Sequence, residues 1–323
     1  MHRVSDRWKD LPDYILGITR EIWEDRGIAS LHDYYAPDMI LRSPMGIQRG
    51  NQSVIASTMA TIHEFPDRQL YGEDVIWSDD PDHGLLSSHR VITRATHSGD
   101  GQFGTGSGTQ WTIRVIADCA VRDDVIYDEW LVRDYGGIVR QLGKSPAEFA
   151  ARLVAEEVAA SGQPSPVFRP EHDIDGGYHG RGNDNAWGAK YADILNRILS
   201  HDFGAIRSEY DRAIIGAYAG AQDTLGWDQT LAFWIGLRAS LPSAVFTIHH
   251  QIGMEGGTLS PRAAIRWSLD GTHDGWGTFG PPSGKRVHVF GISHAEFGPW
   301  GLRRECALYD EIAVFKQIRA HTG

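Results

Sequence analysis

The chain has 323 residues, of which 41% are hydrophobic and 23% charged, a composition typical of a globular protein long enough for two domains. Its net charge of -11 opposes binding to nucleic acids or anionic membranes, and no cluster of lysine and arginine offers a local exception. No apolar leader or membrane-length apolar run is present, so we expect a cytoplasmic protein. The two cysteines occupy non-equivalent positions in the repeat described next, which argues against a disulfide.

The chain repeats itself at an offset of 176 residues. Between residues 96–108 and 272–284, eight of thirteen positions are identical. The same register, without a gap, also pairs Tyr34 with Tyr210, Arg90 with Arg266, Glu129 with Glu305, Asp134 with Asp310 and Gln141 with Gln317. A register kept over this length indicates two copies of one domain. We expect domains at residues 1–143 and 188–323, joined by a helix and a Gly/Pro/Asp-rich linker at residues 144–187.

Each copy is predicted to begin with helices and to continue with strands. Apolar residues at three- and four-residue spacing predict helices near residues 14–23 and 194–199, and again at 50–66 and 226–242, where a proline ends each pattern. Alternating patterns predict strands at 69–77, 84–95, 110–120 and 125–132, and at 244–252, 262–269, 286–297 and 302–309. Helices followed by an antiparallel meander indicate an α+β fold with helices on one face of a curved sheet.

Both copies contain a G-x-G-x-x-G motif, which is found in dinucleotide-binding proteins. The motifs are Gly99-Asp-Gly101-Gln-Phe-Gly104 and Gly275-Trp-Gly277-Thr-Phe-Gly280. A dinucleotide site needs a helix to begin directly after the glycines, so that its N-terminus can hold the pyrophosphate. Here a strand pattern follows in the first copy and two prolines follow in the second. We therefore interpret the motifs as hairpin connections and expect no nucleotide cofactor.

Several phrases of the sequence resemble one known family. The second copy contains Arg266-Trp-Ser-Leu-Asp-Gly-Thr-His273-Asp-Gly, Phe279-Gly-Pro-Pro-Ser-Gly-Lys-Arg and Gly291-Ile-Ser-His-Ala-Glu-Phe, and the first ends in Asp128-Glu129-Trp130-Leu-Val-Arg-Asp134-Tyr-Gly-Gly-Ile-Val-Arg-Gln141-Leu-Gly. In this order they resemble the SnoaL-like polyketide cyclases of the nuclear transport factor 2-like superfamily, over about residues 10–143 and 188–319.

The resemblance implies two tandem cone-shaped α+β barrels, each with an apolar pocket, a small-molecule substrate and no cofactor. Single domains of this fold often pair through the open face of the sheet. The tandem chain is therefore expected to form an internal pseudo-dimer, and a homodimer of whole chains is left open.

The resemblance also implies catalytic carboxylates. The aspartate of the family's W-x-x-x-D phrase moves a proton next to a ketone, and it maps onto Asp134 and, by the internal offset, onto Asp310. Such an aspartate needs an apolar wall, which Trp130 could contribute, to raise its pKa. The alternative is that both aspartates cap the short helical segments that follow them.

Other polar residues found in both copies are weaker candidates. His97 and His273 could polarise a carbonyl or bond to a hairpin, and Tyr34 and Tyr210 could reach the mouth of each cone or belong to the core. Arg90 and Arg266 are expected either to contact substrate or to pair with Glu129 and Glu305.

The second copy adds His288, His294 and Glu296, which share one face of a strand, with Asp118 equivalent to His294 in the first copy. They indicate either a solvated face or a polar pocket, and they are a weak signal for a metal, which we do not expect.

Three functions are compatible with these residues. The first is proton transfer next to a carbonyl, as in a cyclase or isomerase, by cofactor-independent acid/base catalysis. The second is hydrolysis of an epoxide, lactone or ester. The third is a non-catalytic ligand-binding or assembly module, because a fold does not determine a function.

Overall fold

The computed structural model describes residues 2–320; Met1 and residues 321–323, the outer ends of the two expected domains, lie outside the described residues. The first repeat contains α1 (Leu11–Trp23), α2 (Leu31–Tyr34), β1 (Tyr35–Ser43), β2 (Gly46–Arg49), α3 (Gly50–Glu64), β3 (Gln69–Asp80), β4 (Gly84–Thr96), β5 (Gln110–Arg122), β6 (Val125–Arg133) and α4 (Tyr135–Gln141). After α5 (Pro146–Ser161), the second repeat contains α6 (Ala186–Leu199), α7 (Gly204–Glu209), β7 (Tyr210–Tyr218), β8 (Gln222–Leu225), α8 (Trp227–Ser240), β9 (Val245–Gly256), β10 (Leu259–Thr272), β11 (Arg286–Gly298), β12 (Gly301–Tyr309) and α9 (Glu311–Ala320).

The two repeats form two sheets of the same topology. Each sheet has six strands, in the order β2-β1-β6-β5-β4-β3 and β8-β7-β12-β11-β10-β9. The predicted α+β class and the eight predicted strands are confirmed. Four strands were missed, β1, β2, β7 and β8, and β1 and β7 pair parallel with β6 and β12, so the sheets are not simple meanders.

Helices cover the concave face of each sheet because one stripe of each helix is apolar. In α1, the Asp10 side chain accepts a hydrogen bond from the Asp13 backbone N–H and fixes the start of the helix. Tyr14, Ile15, Ile18 and Ile22 then face the sheet and are buried. The α3 helix ends at Glu64, two residues before Pro66, whose ring cannot continue a helix.

Successive side chains along each strand point to opposite faces of the sheet. On β6, Glu129, Leu131 and Arg133 point towards the helices, where Leu131 belongs to the main core. The intervening Trp130 and Val132 belong to a separate apolar cluster on the opposite face. The first face forms the interior of a cone, and the second packs against the other repeat.

The two sheets pack face to face. Their central strands β6 and β12 are in contact, as are β5 with β11 and β3 with β9. The largest apolar cluster between the sheets contains Ile116 and Val132 from the first repeat and Phe290, Ile292, Cys306 and Leu308 from the second. Because each sheet covers the other, neither outer face is exposed to solvent at its centre.

Charged side chains are also buried between the sheets. The guanidinium of Arg266 donates a hydrogen bond of 3.0 Å to the Asp118 carboxylate and lies 3.6 Å from the ring centre of Trp130. The Arg42 guanidinium also lies near this ring, 4.7 Å from its centre, and pairs with the buried Asp128. The cations of two ion pairs therefore contact one tryptophan between the sheets.

The linker runs along this interface. Phe168 and Tyr178 each join an apolar cluster between the sheets. Asp173 accepts a hydrogen bond from the Arg42 Nε, and the Tyr178 backbone N–H donates to the Asp128 carboxylate. The helix before the linker, α5, packs against α9 of the second repeat. The linker thus fastens the two sheets together.

None of the helices in the described part of the chain is long and apolar enough to cross a membrane.

Removing one charge of the interface is expected to destabilise the fold strongly. Arg266→Met leaves Asp118 buried without its cation, which costs about 3–5 kcal/mol of unfolding free energy. Asp118→Leu combined with Arg266→Met removes both charges and is expected to recover most of that loss. Urea titration followed by tryptophan fluorescence measures both effects.

The matched control is Arg90→Met, at the equivalent position of the first repeat. Arg90 pairs with Glu73, which keeps Arg114 as a second partner, so this change is expected to cost about 1 kcal/mol or less. Equal losses for Arg266→Met and Arg90→Met would contradict the role given to the buried pair.

Candidate active site

The interior of the first cone contains a cavity. Its volume is about 90 Å³, and its walls come from the apolar face of α1 and from the concave face of β4, β5 and β6. Most of the wall is aliphatic, including Ile15, Ile18, Val91, Val115 and Leu131. The polar side chains in the wall are Thr19, Tyr35, Ser57, Thr58, Arg68, His89, Glu129 and Arg133, together with the Cys119 thiol.

Glu129 is the acidic group of this cavity. Its side chain is buried, and its Oε2 atom has no hydrogen-bond partner among the described residues. Burial raises the pKa of Glu129 to about 7, and the Arg133 guanidinium and the Tyr35 hydroxyl lower it by less than burial raises it. A carboxylate in this state is a stronger base than an ordinary glutamate and can exchange a proton at neutral pH.

His89 is a neutral hydrogen-bonding group in the same wall. Burial lowers its pKa to about 4, so the imidazole carries no charge at pH 7. Its Nδ1 atom lies 3.3 Å from the Ser87 hydroxyl. When that hydroxyl donates to Nδ1, the ring proton resides on Nε2, which is then the donor available to a ligand.

Two arginines join this inner cavity to a second, outer pocket. Arg68, Arg133 and Ser57 line both spaces, and the outer pocket has a volume of about 320 Å³. The outer pocket lies between α3, the hairpin loop at residues 100–103 and the start of α4, and Asp310 from the second repeat also lines it. The two arginines therefore form part of the boundary between the inner cavity and the outer pocket.

The interior of the second cone is filled instead. Glu305, the equivalent of Glu129, accepts four hydrogen bonds of 2.7–3.1 Å, from the hydroxyls of Tyr191, Tyr210 and Tyr218 and from the Trp234 Nε1. By the offset of 176, Trp234 replaces Thr58 and Trp267 replaces Val91, two residues that line the first cavity. The larger rings occupy the space that is open in the first cone.

The two expected catalytic aspartates lie outside the inner cavity. Asp134 accepts hydrogen bonds from the backbone N–H of Gly137, where it caps α4, and from Gly220 and Ala221 of the second repeat. Burial raises its pKa to about 6. Asp134 thus combines the expected capping role with a contact between the two repeats.

Asp310 has fewer donors. It accepts from the Ile312 backbone N–H, and the turn that would supply the others contains Pro44 where the second repeat has Gly220. Proline has no N–H, so this donor is lost. Burial, followed by the charges of Asp134 and Glu311, raises the pKa of Asp310 to about 8.

The histidines and tyrosines kept in both copies bond within their own repeats. His97 and His273 are buried in the hairpins, with Nδ1 atoms 3.1 Å and 3.0 Å from the hydroxyls of Ser107 and Ser283. Tyr34 donates to Glu21, and Tyr210 to Glu305. None of the four residues lines the inner cavity or the outer pocket.

The remaining candidates lie on the sheet faces that meet between the repeats or beside them. Asp118, Trp130 and Arg266 form the buried cluster described above, and His294 lies 2.9 Å from the Ser88 hydroxyl across the interface. The face shared by His288 and His294 is thus neither solvated nor a pocket. Arg90 pairs with Glu73, and Glu296 with Arg303. The expected pairing of Arg90 and Arg266 with Glu129 and Glu305 was therefore wrong.

The sequence-based candidates do not include the polar residues of the inner cavity. One signal was available for Glu129, because an acidic residue occurs at the same strand position in both copies and alternates with Leu131 and Arg133 on the core-facing side. An ionisable residue on that side has a high cost unless it has a partner or a function. Tyr35, His89 and Arg68 carry no such signal, because only the fold brings them together.

The raised pKa of Glu129 predicts a pH-dependent stability difference for Glu129→Gln. Between about pH 4.5 and pH 7 the folded wild type keeps a proton that the unfolded chain has lost, so its stability falls as pH rises through this window. The glutamine variant has no such proton. Its unfolding free energy relative to wild type is expected to rise by about 3 kcal/mol between pH 4.5 and pH 7 and then to stay constant.

Thermal unfolding at a series of pH values measures this difference. The control is Glu73→Gln, because arginine partners lower the pKa of Glu73 and its contribution is constant above pH 5. A Glu129→Gln difference that is the same at pH 5 and pH 8 would show that the pKa of Glu129 is ordinary.

Comparison with known proteins identifies the first repeat. Residues 14–142 match the family model described as SnoaL-like polyketide cyclase. No curated protein matches the chain.

Similar solved structures each cover about one repeat. IdmH from Streptomyces antibioticus, described as a candidate polyketide cyclase, is 23% identical, with 41% of this chain and 97% of that chain covered and a TM-score of 0.37. A candidate SnoaL-like polyketide cyclase from Jannaschia sp. is 18% identical, with 43% and 97% covered and a TM-score of 0.36. AclR from Streptomyces galilaeus, a candidate hydroxylase, is 13% identical, with 42% and 85% covered and a TM-score of 0.33.

The family model spans α1 to α4, the elements that enclose the cavity with Glu129. Residues 14–142 of this chain therefore belong to the SnoaL-like polyketide cyclase family.

Proposed function

We propose that the first cone binds a small carbonyl compound and moves a proton at the carbon next to the carbonyl, without a cofactor. The observation that carries this proposal is the Glu129 carboxylate, which is buried in an otherwise mostly aliphatic wall and has an oxygen without a hydrogen-bond partner. A base for a carbon acid needs both features, because water and fixed donors would weaken it. Membership of residues 14–142 in a cyclase family agrees with this chemistry.

In the proposed reaction Glu129 takes a proton from the carbon next to the ketone. The electron pair of the C–H bond forms the enolate, whose oxygen accepts a hydrogen bond from neutral His89 or from the Tyr35 hydroxyl. Donors that face a developing oxyanion in a dry site stabilise it more than water does. In an intramolecular aldol closure the enolate carbon then bonds to a second carbonyl carbon, and the resulting alkoxide takes up the proton.

We propose that the second repeat is a scaffold. Four hydrogen bonds hold Glu305, and tryptophans occupy the space that the first cone keeps open, so no base is free there. The pairing of the two sheets supports the interpretation of the chain as an internal pseudo-dimer, in which one copy has kept the pocket. Asp310 is the residue through which the second repeat reaches the outer pocket of the first.

Hydrogen–deuterium exchange tests the proposal without knowledge of the natural substrate. We expect the wild-type protein to accelerate exchange at C2 of methyl 2-methylacetoacetate in D₂O, followed by NMR, and Glu129→Gln to reduce the protein-dependent rate by about 100-fold or more. Glu73 lines neither the inner cavity nor the outer pocket, so Glu73→Gln is the control and is expected to exchange at the wild-type rate.

Two further variants separate the alternatives. Asp134→Asn and Asp310→Asn test the aspartates implied by the family resemblance. A loss of exchange activity in only one of these variants, with Glu129→Gln unaffected, would identify that aspartate as the base. Binding of the keto ester without faster exchange in any variant would favour the non-catalytic ligand-binding module. Hydrolysis of the ester that depends on Asp310 would favour the hydrolase.

A further inference from the structure

Arg68 and Arg133 are cations without an anionic partner. No carboxylate of the described residues lies within 4.0 Å of the buried Arg68 guanidinium or of the half-buried Arg133 guanidinium, whereas Arg42 and Arg266, which are buried between the sheets, each pair with an aspartate. Arg238, which is also buried, donates instead to the Leu241 carbonyl. Charged side chains are seldom buried without a partner, because the lost hydration is not replaced. The missing partner is therefore expected to be a ligand.

The position of Arg68 is fixed by its neighbours. Its Nε atom donates a hydrogen bond of 3.0 Å to the Thr93 hydroxyl, and its guanidinium lies 4.8 Å from the ring centre of Trp23 and 5.8 Å from that of Trp111. These contacts hold the planar group at the boundary of the two spaces before any ligand arrives. A guanidinium fixed in this way matches a carboxylate with little loss of entropy.

Comparison of the two repeats shows that the arginine pair accompanies the cavity. By the offset of 176, the second repeat has Ala244 at the position equivalent to Arg68 and Tyr309 at the position equivalent to Arg133, and the interior of this repeat is filled. Both arginines occur only in the copy whose interior can admit a ligand.

The charge balance indicates the kind of anion. Arg133 lies near enough to Glu129 to lower its pKa, so the site with an ionised Glu129 has a net charge of about +1 from these three groups. A monoanion such as a carboxylate matches this charge, whereas a dianionic phosphate has a higher cost of burial in an aliphatic wall.

We propose that the substrate of this site carries a carboxylate, which Arg68 and Arg133 hold at the boundary between the inner cavity and the outer pocket. This inference rests on the proposed function for the placement of the reacting ketone beside Glu129. Residues 129 and 133 lie four positions apart on one strand, so their Cα atoms are about 13 Å apart. The substrate class is therefore a keto acid whose carboxylate is several bonds from the reacting carbon.

A pair of ligands that differ only in charge tests the proposal. We expect isothermal titration calorimetry to show that the wild-type protein binds 3-benzoylpropionate about 10-fold or more tightly than its methyl ester. Arg133→Met and Arg68→Met are expected to abolish the difference, and Arg133→Lys to keep part of it. Arg94→Met, which removes an exposed arginine bonded to Gln69, is the control and is expected to keep the full preference.

Three results would overturn the proposal. They are equal affinity for acid and ester, failure of the acid to bind at millimolar concentration, and a full preference for the acid in Arg133→Met. Arg133 is only partly buried, so its variant stays informative if Arg68→Met fails to fold, which circular dichroism detects.

The same measurements separate this inference from the proposed function. Glu129→Gln is expected to lose the exchange activity and to keep the preference for the acid. A preference for the acid without any exchange activity would contradict only the proton-transfer reaction. Exchange activity without that preference would contradict only the carboxylate site.

Discussion

The face-to-face packing of the two sheets is the constraint on which the rest of the structure depends. At its centre, the guanidiniums of Arg42 and Arg266 both contact the Trp130 ring, and each cation has its own buried aspartate. Fixed donors and acceptors allow few alternative registers, because a shift of either sheet would leave a buried charge unpaired. This packing covers both outer faces at their centres, and the cavity with Glu129 lies on the concave side of the first sheet.

The interiors of the two cones differ in how completely side chains fill them. In the second, Trp234 and Trp267 fill the cone and Glu305 has four donors, which makes a rigid core. In the first, smaller side chains at the equivalent positions leave a cavity, and Glu129 keeps an oxygen without a partner. The proposed function assigns the chemistry to the first copy, and under that proposal the stability of the second copy offsets the cost of a buried charge in the first.

The contact between the repeats also reaches the mouth of the site. Asp310 lines the outer pocket of the first cone, and it lacks a donor that Asp134 has because Pro44 replaces glycine in the turn opposite. The same pair of structural positions therefore gives one aspartate held by three backbone N–H groups and another with a pKa raised to about 8. A duplicated chain can develop such an asymmetry, whereas a symmetric homodimer cannot.

The sequence by itself determined the duplication, the α+β class, eight strands and the family of the first repeat, because these depend on local patterns and on a register visible in the chain. It did not determine β1 and β7, whose pairing with β6 and β12 is long-range. The inner cavity depends on tertiary structure for the same reason. Glu129, His89 and Arg68 come from three separated segments, and only the closure of helices over the sheet brings them together and removes the water that would keep their pKa values ordinary.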